Sequence, residues 1–354
     1  MLYNNQMRLV AKIKNHPVYA CLFFVCLFCF LIFCYTHPLN APAQKIVRRV
    51  LPDAVLPSGT LSLLTEPDQG MNPVLQMINN AKNSIDLVMY EFTDKNIADA
   101  LIAAGKRGVT VRVLLNGGYE GAMEKMNAPA FAYLQQGGVP TRFAPAYFAL
   151  THQKTLVTDK NQALIMTFNF TPKYYATGRD FGVLDKNPND VRSIENAFAA
   201  DWNSQKTNTD NADDLVWSPG SDNDMLLAIN GAKKELDIYN EEMADARIIG
   251  ALAGAIKKGV EVKIIMTYQT AWKPAFQELK NDGATLHLFH GEKGLYIHAK
   301  MILADDAEAF LGSENFSYGS LDQNRELGIF MTDPAILNSL FKTFSKDWQN
   351  AKAF

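Results

Sequence analysis

Two short segments of the chain each carry a histidine, a lysine two residues later and an aspartate five residues after that. The first, HQKTLVTD, begins at His152, and the second, HAKMILAD, begins at His298. Both lie in mostly apolar, strand-like runs, and side chains two residues apart on a strand project from the same face. The sequence therefore predicts that each histidine projects together with its lysine, Lys154 or Lys300.

The aspartates of these two segments, Asp159 and Asp305, follow a different pattern. Each is seven residues from its histidine, an odd spacing that directs it to the opposite face if the strand continues. Each also begins a turn-like sequence, DKNQ or DDAE. We expect both aspartates to be turn or scaffold residues rather than groups that contact a substrate.

A pair of small polar residues follows each histidine segment. Thr167 and Asn169 in TFNF correspond to Ser313 and Asn315 in GSENFS. The two polar residues of each pair are again two positions apart, so a hydroxyl and an amide face one way on a strand. We expect all four side chains to bind the substrate.

A carboxylate comes eleven residues after each of these asparagines, Asp180 in RDFGV and Glu326 in RELGI. Each begins a short apolar segment that is typical of an adjacent strand. A carboxylate on a neighbouring strand can accept the Nδ1–H of an imidazole and fix its tautomer. Two further carboxylates, Glu91 and Glu242, also correspond between the repeats; each is predicted either to border the same cleft or to be a solvated loop residue.

An internal duplication must position these residues. Residues 80–117 align with 231–268, where Asp86 matches Asp237, and each copy alternates apolar strands with an amphipathic helix. Further along, four separate features keep one common spacing: the histidines, the asparagines, the carboxylates and a DW dipeptide that begins at residues 201 and 347. This alternation predicts an α/β fold. We expect two tandem α/β/α sandwich lobes, residues 60–205 and 217–354 joined by a linker at 206–216, related by a pseudo-twofold axis that brings both triplets into one cleft.

The N-terminal residues are predicted to lie outside this fold. Residues 18–36 include an uncharged apolar run of 18 residues, which is long enough to cross a bilayer as a helix. Residues 1–17 form a basic leader and residues 37–59 a linker. An uncleaved anchor with a cytoplasmic leader is favoured, which places the catalytic body outside the cytoplasm. A cleaved signal peptide, with a site near APA at 41–43, stays open and would give a periplasmic, luminal or secreted protein.

Charge and cysteine content restrict the chemistry of the body. Three of the 34 basic residues lie in the leader, which leaves 31 basic against 37 acidic residues. A body this acidic lacks the overall electrostatic pattern of a nucleic-acid-binding protein, although a local basic cleft remains compatible with it. All four cysteines lie in the apolar run, so the body has no disulfide, thiol nucleophile or cysteine metal site.

The repeated residues suit the chemistry of a phosphate ester. Lysine and amide donors match an anion with several oxygens. One histidine can attack phosphorus while the other protonates the leaving oxygen, and water activated by the second histidine can then hydrolyse the phosphohistidine. This scheme requires no metal or other cofactor, because the lysines neutralise the charge.

The pattern H-x-K-x4-D, then G-S-x-N, then an acidic residue, twice in one chain, resembles the phospholipase D superfamily. The second copy matches throughout, including Gly312, whereas Met166 and Thr167 replace the Gly-Ser pair in the first. The resemblance implies that His152 is the nucleophile and His298 the acid, although the sequence leaves the reverse order open. It also implies hydrolysis of a phospholipid headgroup ester to phosphatidic acid and a free alcohol.

Three other functions remain open from the sequence. They are a metal-independent nuclease acting on DNA or RNA, a phosphatidyltransferase similar to cardiolipin synthases, and a non-catalytic phosphate-binding membrane protein. The expected partners are a phospholipid or another phosphodiester, and the membrane through the N-terminal helix. Because both half-sites lie in one chain, we expect a monomer.

Overall fold

Two mixed β-sheets of eight strands each form the framework of the protein. The computed structural model describes residues 60–117, 122–207, 209, 214–290 and 294–354, without the side chains of 122–124. The predicted leader, the apolar segment 18–36 and the linker 37–59 lie outside the described residues. Within the described ranges, no helix combines the length and apolar character needed to cross a bilayer.

The first lobe runs from β1 to α4. Its elements are β1 (Leu61–Glu66), α1 (Asn72–Asn80), β2 (Ser84–Met89), α2 (Lys95–Lys106), β3 (Thr110–Leu115), α3 (Ala122–Gln136), β4 (Thr141–Phe143), β5 (Thr155–Thr158), β6 (Gln162–Met166), β7 (Gly178–Asp185) and α4 (Pro188–Trp202). Its strand order is β1-β7-β6-β5-β2-β3-β4. Strands β2, β3 and β4 are parallel because helices α2 and α3 connect them, and the other neighbours are antiparallel.

The second lobe repeats this order. Its elements are β8 (Leu215–Ser218), α5 (Asp222–Gly231), β9 (Glu235–Tyr239), α6 (Ala246–Lys257), β10 (Glu261–Thr267), α7 (Lys273–Asp282), β11 (Thr285–Phe289), β12 (Tyr296–Ile297), β13 (Met301–Ala304), β14 (Glu308–Gly312), α8 (Tyr318–Asp322), β15 (Glu326–Met331), α9 (Pro334–Asn350) and β16 (Lys352–Ala353). The strand order is β16-β11-β10-β9-β13-β14-β15-β8. Strand β8 begins at Leu215, inside the predicted linker 206–216, because residues 215–218 pair with β15.

The equivalent helices α2 and α6 show why the duplicated sequences fold alike. Asp94 and Asp245 accept hydrogen bonds from the backbone N–H groups at the helix starts, as N-cap residues do. Each helix then buries apolar residues at helical spacing, among them Leu101 and Leu252. The two copies therefore direct the same helix face onto their sheets.

The structure corrects the predicted placement of the histidine segments within strands. Strands β5 and β13 each begin only after the lysine, and the histidines precede them in irregular backbone. The reason is that these segments pair with the opposite lobe. The backbone N–H of His152 donates to the carbonyl of Arg325 at 2.9 Å, and that of His298 donates to the carbonyl of Arg179 at 3.2 Å.

Short parallel pairings join the two sheets at these points. Strand β12, which comes from the second lobe, is the eighth strand of the first sheet and pairs with Gly178 and Arg179 of β7. Thr151 makes the equivalent parallel bridge with Arg325 at the start of β15. Each lobe thus presents the residue before its histidine to the residue before the carboxylate of the other lobe.

Apolar packing unites the two sheets over a shared core. One buried cluster contains side chains of both lobes, including Val157, Phe181 and Ile194 from the first and Met301 and Leu327 from the second. Two separate clusters lie within the individual lobes. Because a single core fills the space between the lobes, their relative position is set by close packing rather than by a flexible linker.

Two buried ion pairs cross the same interface. The guanidinium of Arg179 on β7 donates to both carboxylate oxygens of Asp347 on α9, at 2.6 and 3.0 Å. Arg325 makes the equivalent bidentate pair with Asp201 on α4, at 2.8 and 2.9 Å. All four side chains are almost fully buried. Bidentate geometry orients the arginine as well as neutralising it, so each pair holds the backbone that leads into one of the repeated carboxylates, Asp180 or Glu326.

Replacing Asp201 by Ala should destabilise the protein strongly. The substitution leaves the Arg325 guanidinium buried without its carboxylate, a change that typically costs about 3–5 kcal/mol. The free energy of unfolding, measured by urea denaturation, should fall by that amount. Asp99→Ala is the matched control, because it removes a carboxylate from an exposed ion pair with Lys95 and should change stability little. A loss for Asp201→Ala as small as the control's would contradict this role.

Candidate active site

A cavity of about 280 Å³ opens where the two lobes meet. Its walls come from the ends of β1, β2, β9 and β12, the segments after β6 and β14, and the histidine segments themselves. The predicted site residues that line it are His152, Asn169, Asp180, His298 and Asn315. The pseudo-twofold arrangement therefore brings the two histidines of the repeat into one cavity.

Each histidine is hydrogen-bonded to the carboxylate of the opposite lobe. The Nδ1 atom of His152 lies 2.8 Å from Oε2 of Glu326, and Nδ1 of His298 lies 2.9 Å from Oδ1 of Asp180. The carboxylate does come from a neighbouring strand, but that strand belongs to the other lobe. A carboxylate at Nδ1 fixes the tautomer in which Nδ1 carries the proton, and it orients the ring so that Nε2 is directed away from the carboxylate. The Nε2 atoms of the two histidines therefore face the cavity side, where a substrate would bind.

The carboxylate of Glu326 is held by a set of donors. Its Oε1 accepts hydrogen bonds from Ser320 Oγ at 2.6 Å and from Asn324 Nδ2 at 3.1 Å. Burial by itself raises the pKa of Glu326, but the adjacent His152 and Lys154 outweigh burial and hold that pKa below its ordinary value. The carboxylate is therefore charged and immobile, as a group that orients an imidazole must be.

Thr167 and Ser313 do not contact the cavity, contrary to the prediction that they bind substrate. Both are buried. Thr167 Oγ1 donates to Asp180 Oδ1 at 2.5 Å and accepts from the backbone N–H of Phe181 at 2.9 Å. Ser313 Oγ accepts from the backbone N–H of Leu327 at 3.1 Å. These hydroxyls form their hydrogen bonds with the strands that carry the two carboxylates. They therefore stabilise the site without contacting the cavity.

The two asparagines border the cavity in different states. Asn169 Oδ1 accepts a hydrogen bond from the backbone N–H of Glu91 at 3.2 Å. Asn315 is buried, and its Oδ1 has no hydrogen-bond partner among the described residues. A buried amide oxygen without a partner is costly to leave unsatisfied, so Asn315 is suited to contact a bound molecule.

The lysines lie beneath the histidines and are fully buried. Lys154 Nζ donates to the backbone carbonyl of His152 at 2.5 Å, and Lys300 Nζ to that of His298 at 2.6 Å. Burial lowers the pKa of Lys154 to about 7, although Glu326 opposes that change. The ammonium of Lys154 also faces the ring of Tyr90, 5.1 Å from its centre.

A carboxylate that the sequence did not single out, Glu241, enters the second half-site. Its Oε2 lies 3.0 Å from Lys300 Nζ and 3.4 Å from His298 Nε2, and its Oε1 accepts from the hydroxyl of Tyr296 at 2.6 Å. Burial alone raises the pKa of Glu241, but Lys300 and His298 together hold that pKa far below its ordinary value. Glu241 is therefore ionised within the cavity.

Among the described residues, no such carboxylate lies at the reactive nitrogen of the first half-site. The ring of Tyr90, which occupies the position equivalent to Glu241, meets the ring of His152 edge-on with centres 4.5 Å apart. Burial lowers the pKa of His152 to about 4, which outweighs the opposing effect of Glu326 and is reinforced by Lys154. His152 is consequently a neutral imidazole at physiological pH, with a free lone pair on Nε2.

The aspartates of the repeated triplet lie in turns away from the cavity. Asp159 and Asp305 adopt left-handed backbone conformations, with φ of 53° and 55°. Each carboxylate accepts hydrogen bonds from three consecutive backbone N–H groups, at residues 82–84 and 233–235 respectively. They tie the turn after β5 or β13 to the start of β2 or β9.

Gly312 marks the difference between the two copies. A Cβ atom at this position would lie 2.2 Å from Oε2 of Glu314 and 2.5 Å from the Cα of Gly328. The first lobe has Met166 and Phe168 where the second has Gly312 and Glu314. A bulky apolar side chain in one lobe thus replaces a glycine beside a buried glutamate in the other.

Sequence reasoning missed several residues that build the site. Arg179 and Arg325 stand directly before the carboxylates, and their partners Asp201 and Asp347 belong to the repeated DW dipeptide. Both arginines and both aspartates recur at the same spacing as the histidines, so the sequence could have predicted these two ion pairs. Glu241 carried no repeat signal, because its equivalent is a tyrosine. In the described part of the chain, no group of three or more metal-ligating side chains comes together.

Carboxylates dominate the charge of the cavity wall. Glu66, Glu91 and Glu242 line it together with Asp180 and Glu241, whereas no lysine or arginine does so among the described residues. Burial raises the pKa of Glu66 to about 7. Glu91 and Glu242 thus border the cleft, as one of the two predictions for them stated.

Comparison with known proteins agrees with this geometry. A family model described as "Cardiolipin synthase, PLD-like domain" matches residues 74–202 and 225–348. The major cardiolipin synthase ClsA of Bacillus subtilis (strain 168) is 24% identical over 343 residues, covering 83% of this chain and 70% of that protein. The cardiolipin synthase of Clostridium perfringens (strain 13 / Type A) is 27% identical over 329 residues, covering 77% of this chain and 67% of that protein.

A solved structure shares the fold. The phosphatidylserine synthase of Haemophilus influenzae Rd KW20 superimposes with a TM-score of 0.70 at 14% identity, over 89% of this chain and 92% of that chain. Identity at this level is evidence for the fold alone. Because the family model matches well over half of the chain, in two copies that coincide with the two lobes, the chain belongs to the phospholipase D superfamily.

Proposed function

We propose that the protein is a phosphatidyltransferase that moves a phosphatidyl group from one phospholipid to an alcohol, as a cardiolipin synthase does. The observation that carries this proposal is the pairing of a neutral, buried His152 with a second histidine across one cavity, in a family whose matching relatives are cardiolipin synthases. The sequence had favoured hydrolysis and held transfer as an alternative. The relatives support the alternative better.

In the first step, Nε2 of His152 attacks the phosphorus atom of the donor lipid. The bond between phosphorus and the headgroup oxygen breaks, and His298 gives its Nε2 proton to that oxygen so that a neutral alcohol departs. Glu326 keeps the Nδ1 proton of His152 in place while positive charge develops on the ring, and Asp180 does the same for His298. The product is a phosphatidyl group bonded to His152.

In the second step, the hydroxyl of an acceptor alcohol attacks the phosphohistidine. His298, now neutral, removes the hydroxyl proton, the new P–O bond forms and the P–N bond to His152 breaks. Both histidines return to their starting states. Lys154 and Lys300 lie under the site as the basic side chains next to the histidines. The unpaired Oδ1 atom of Asn315 is available to accept a hydrogen bond from a hydroxyl group of the substrate.

The charge of the cavity wall supports a lipid rather than a nucleic acid as the substrate. A nucleic-acid strand carries one charge per nucleotide, and proteins that bind it neutralise several phosphates with lysine or arginine. This cavity is lined by carboxylates, and no lysine or arginine of the described residues lines it. A substrate with a single phosphodiester presents one negative charge to this wall instead of several, and therefore meets less repulsion.

The proposal is tested by giving the purified full-length protein phosphatidylglycerol vesicles in the presence of a chelator. Transfer should yield cardiolipin and free glycerol in equal amounts, resolved by mass spectrometry. Phosphatidic acid as the sole lipid product would instead establish hydrolysis. Cleavage of single-stranded DNA in a parallel reaction, without turnover of lipid, would overturn the proposal.

A donor with an activated leaving group should identify the nucleophile. With phosphatidyl-p-nitrophenol, the departing phenolate needs no proton, so His298→Asn should still release one equivalent of p-nitrophenol in a burst and retain the phosphatidyl group. Peptide mass mapping should locate that group on His152. His152→Asn should show no burst, and a modified His298 would reverse the assignment.

The pH dependence of the first step should reflect the low pKa of His152. The ordinary histidine value is 6.5, and burial lowers the pKa of His152 to about 4. The burst rate with the activated donor should therefore not fall as the pH decreases from 7 to about 5. The low pKa of His152 also affects stability. The folded state binds this proton less readily than the unfolded chain, so the contribution of His152 to the free energy of unfolding is complete above about pH 6.5. It is lost as the pH falls towards about 4.

An acid limb near pH 6.5 in the burst rate would contradict the low pKa of His152. Circular dichroism at each pH separates loss of catalysis from unfolding. Because the activated leaving group needs no acid, the protonation state of His298 does not influence this measurement.

A further inference from the structure

The two half-sites differ at the position where Tyr90 stands in the first and Glu241 in the second. Both residues follow equivalent strands, β2 and β9, and precede equivalent N-cap aspartates. Tyr90 presents an aromatic ring to His152. Glu241 presents a carboxylate oxygen to His298 Nε2 at 3.4 Å. This departure from symmetry therefore lies beside His298 Nε2, the atom that transfers a proton to or from the alcohol oxygen in the proposed reaction.

We propose that Glu241 determines the alcohol specificity of the second half-site by accepting a hydrogen bond from a hydroxyl adjacent to the reacting one. The inference rests on the phosphatidyl transfer proposed above. The reacting alcohol oxygen bonds to His298 Nε2, and the neighbouring hydroxyl donates to Oε2 of Glu241. A 1,2-diol in a gauche conformation holds its two oxygens close enough together for one to hydrogen-bond to His298 Nε2 and the other to Glu241 Oε2.

The surroundings of Glu241 favour a hydroxyl over an ammonium group as this second donor. Lys300 Nζ lies 3.0 Å from the same oxygen, and Tyr296 already occupies Oε1 through a hydrogen bond of 2.6 Å. A protonated amine would have to approach the Lys300 ammonium, which already compensates the negative charge of Glu241. A neutral hydroxyl avoids that repulsion and still uses the free lone pairs of Oε2.

The position of Glu241 is rigid enough for selection. Its side chain is only 20% exposed, and Lys300 and Tyr296 hold one oxygen each. Selection would act on both chemical steps, because the leaving and attacking alcohols use the same nitrogen of His298. In the second step, the acceptor hydroxyl bonds to phosphorus, the P–N bond to His152 breaks, and the hydroxyl proton moves to His298 Nε2. The adjacent hydroxyl keeps its proton throughout.

An internal competition between soluble acceptors tests this assignment. The full-length protein with phosphatidylglycerol vesicles is given equal concentrations of 1,2-propanediol, 1-propanol and ethanolamine, and the three phosphatidyl alcohols are quantified by mass spectrometry. All three compete for one intermediate, so the product ratio is independent of the amount of active enzyme. The native protein should favour the diol over 1-propanol about tenfold, the factor that one hydrogen bond to a charged group supplies.

Glu241→Gln should lower the diol to 1-propanol ratio about tenfold, towards unity. Glu241→Asp, which withdraws the carboxylate by one methylene, should lower it as well. Glu242→Gln is the matched control, since it removes the same charge from the adjacent cavity-lining residue without touching His298. It should leave the ratio unchanged, whatever its effect on the total rate.

Each contrary outcome has a distinct meaning. A native ratio near unity, or an unchanged ratio in Glu241→Gln with transfer intact, overturns the role of Glu241 alone. A preference for ethanolamine that Glu241→Gln abolishes overturns it too, because the carboxylate would then bind an ammonium. Phosphatidic acid without any phosphatidyl alcohol overturns the transferase function and this inference together.

Discussion

The site depends on backbone hydrogen bonds in which the histidine segment of each lobe pairs with the segment before the carboxylate of the other lobe. The carbonyls of Arg179 and Arg325 accept hydrogen bonds from the histidine segments of the opposite lobe, and their guanidinium groups are locked by buried aspartates of the opposite lobe. Each arginine thus joins the interface through both its backbone and its side chain. The next residue in each case is the carboxylate that orients a histidine. The contacts that join the lobes therefore also position the site.

This arrangement makes each half-site dependent on both lobes. Neither lobe contains both a histidine and the carboxylate that orients it, and the shared apolar core lies directly beneath the pairings. An imidazole without its carboxylate loses its fixed tautomer and much of its catalytic power. Close packing between the lobes therefore serves the reaction as well as stability, because small displacements of the interface would move both hydrogen bonds.

Symmetry provides two similar half-sites, and the proposed reaction requires two different ones. The difference arises from the environments of otherwise identical histidines. His152 is enclosed by burial and the Tyr90 ring, so its neutral form is favoured. His298 has a carboxylate near each ring nitrogen, Asp180 at Nδ1 and Glu241 at Nε2. Two titratable groups of one type placed in contrasting surroundings are a general route to separate nucleophile and acid roles.

The sequence by itself determined the duplication, the α/β class and the pair of histidines, because repeated spacing survives without any knowledge of contacts. It also identified Asp159 and Asp305 as turn residues from an odd spacing. Tertiary structure alone decided that the carboxylates act across the lobes, that Thr167 and Ser313 face the strands rather than the cavity, and that Glu241 enters the site. These features depend on which backbone pairs with which across an interface, and strand periodicity within one segment carries no information about that partner.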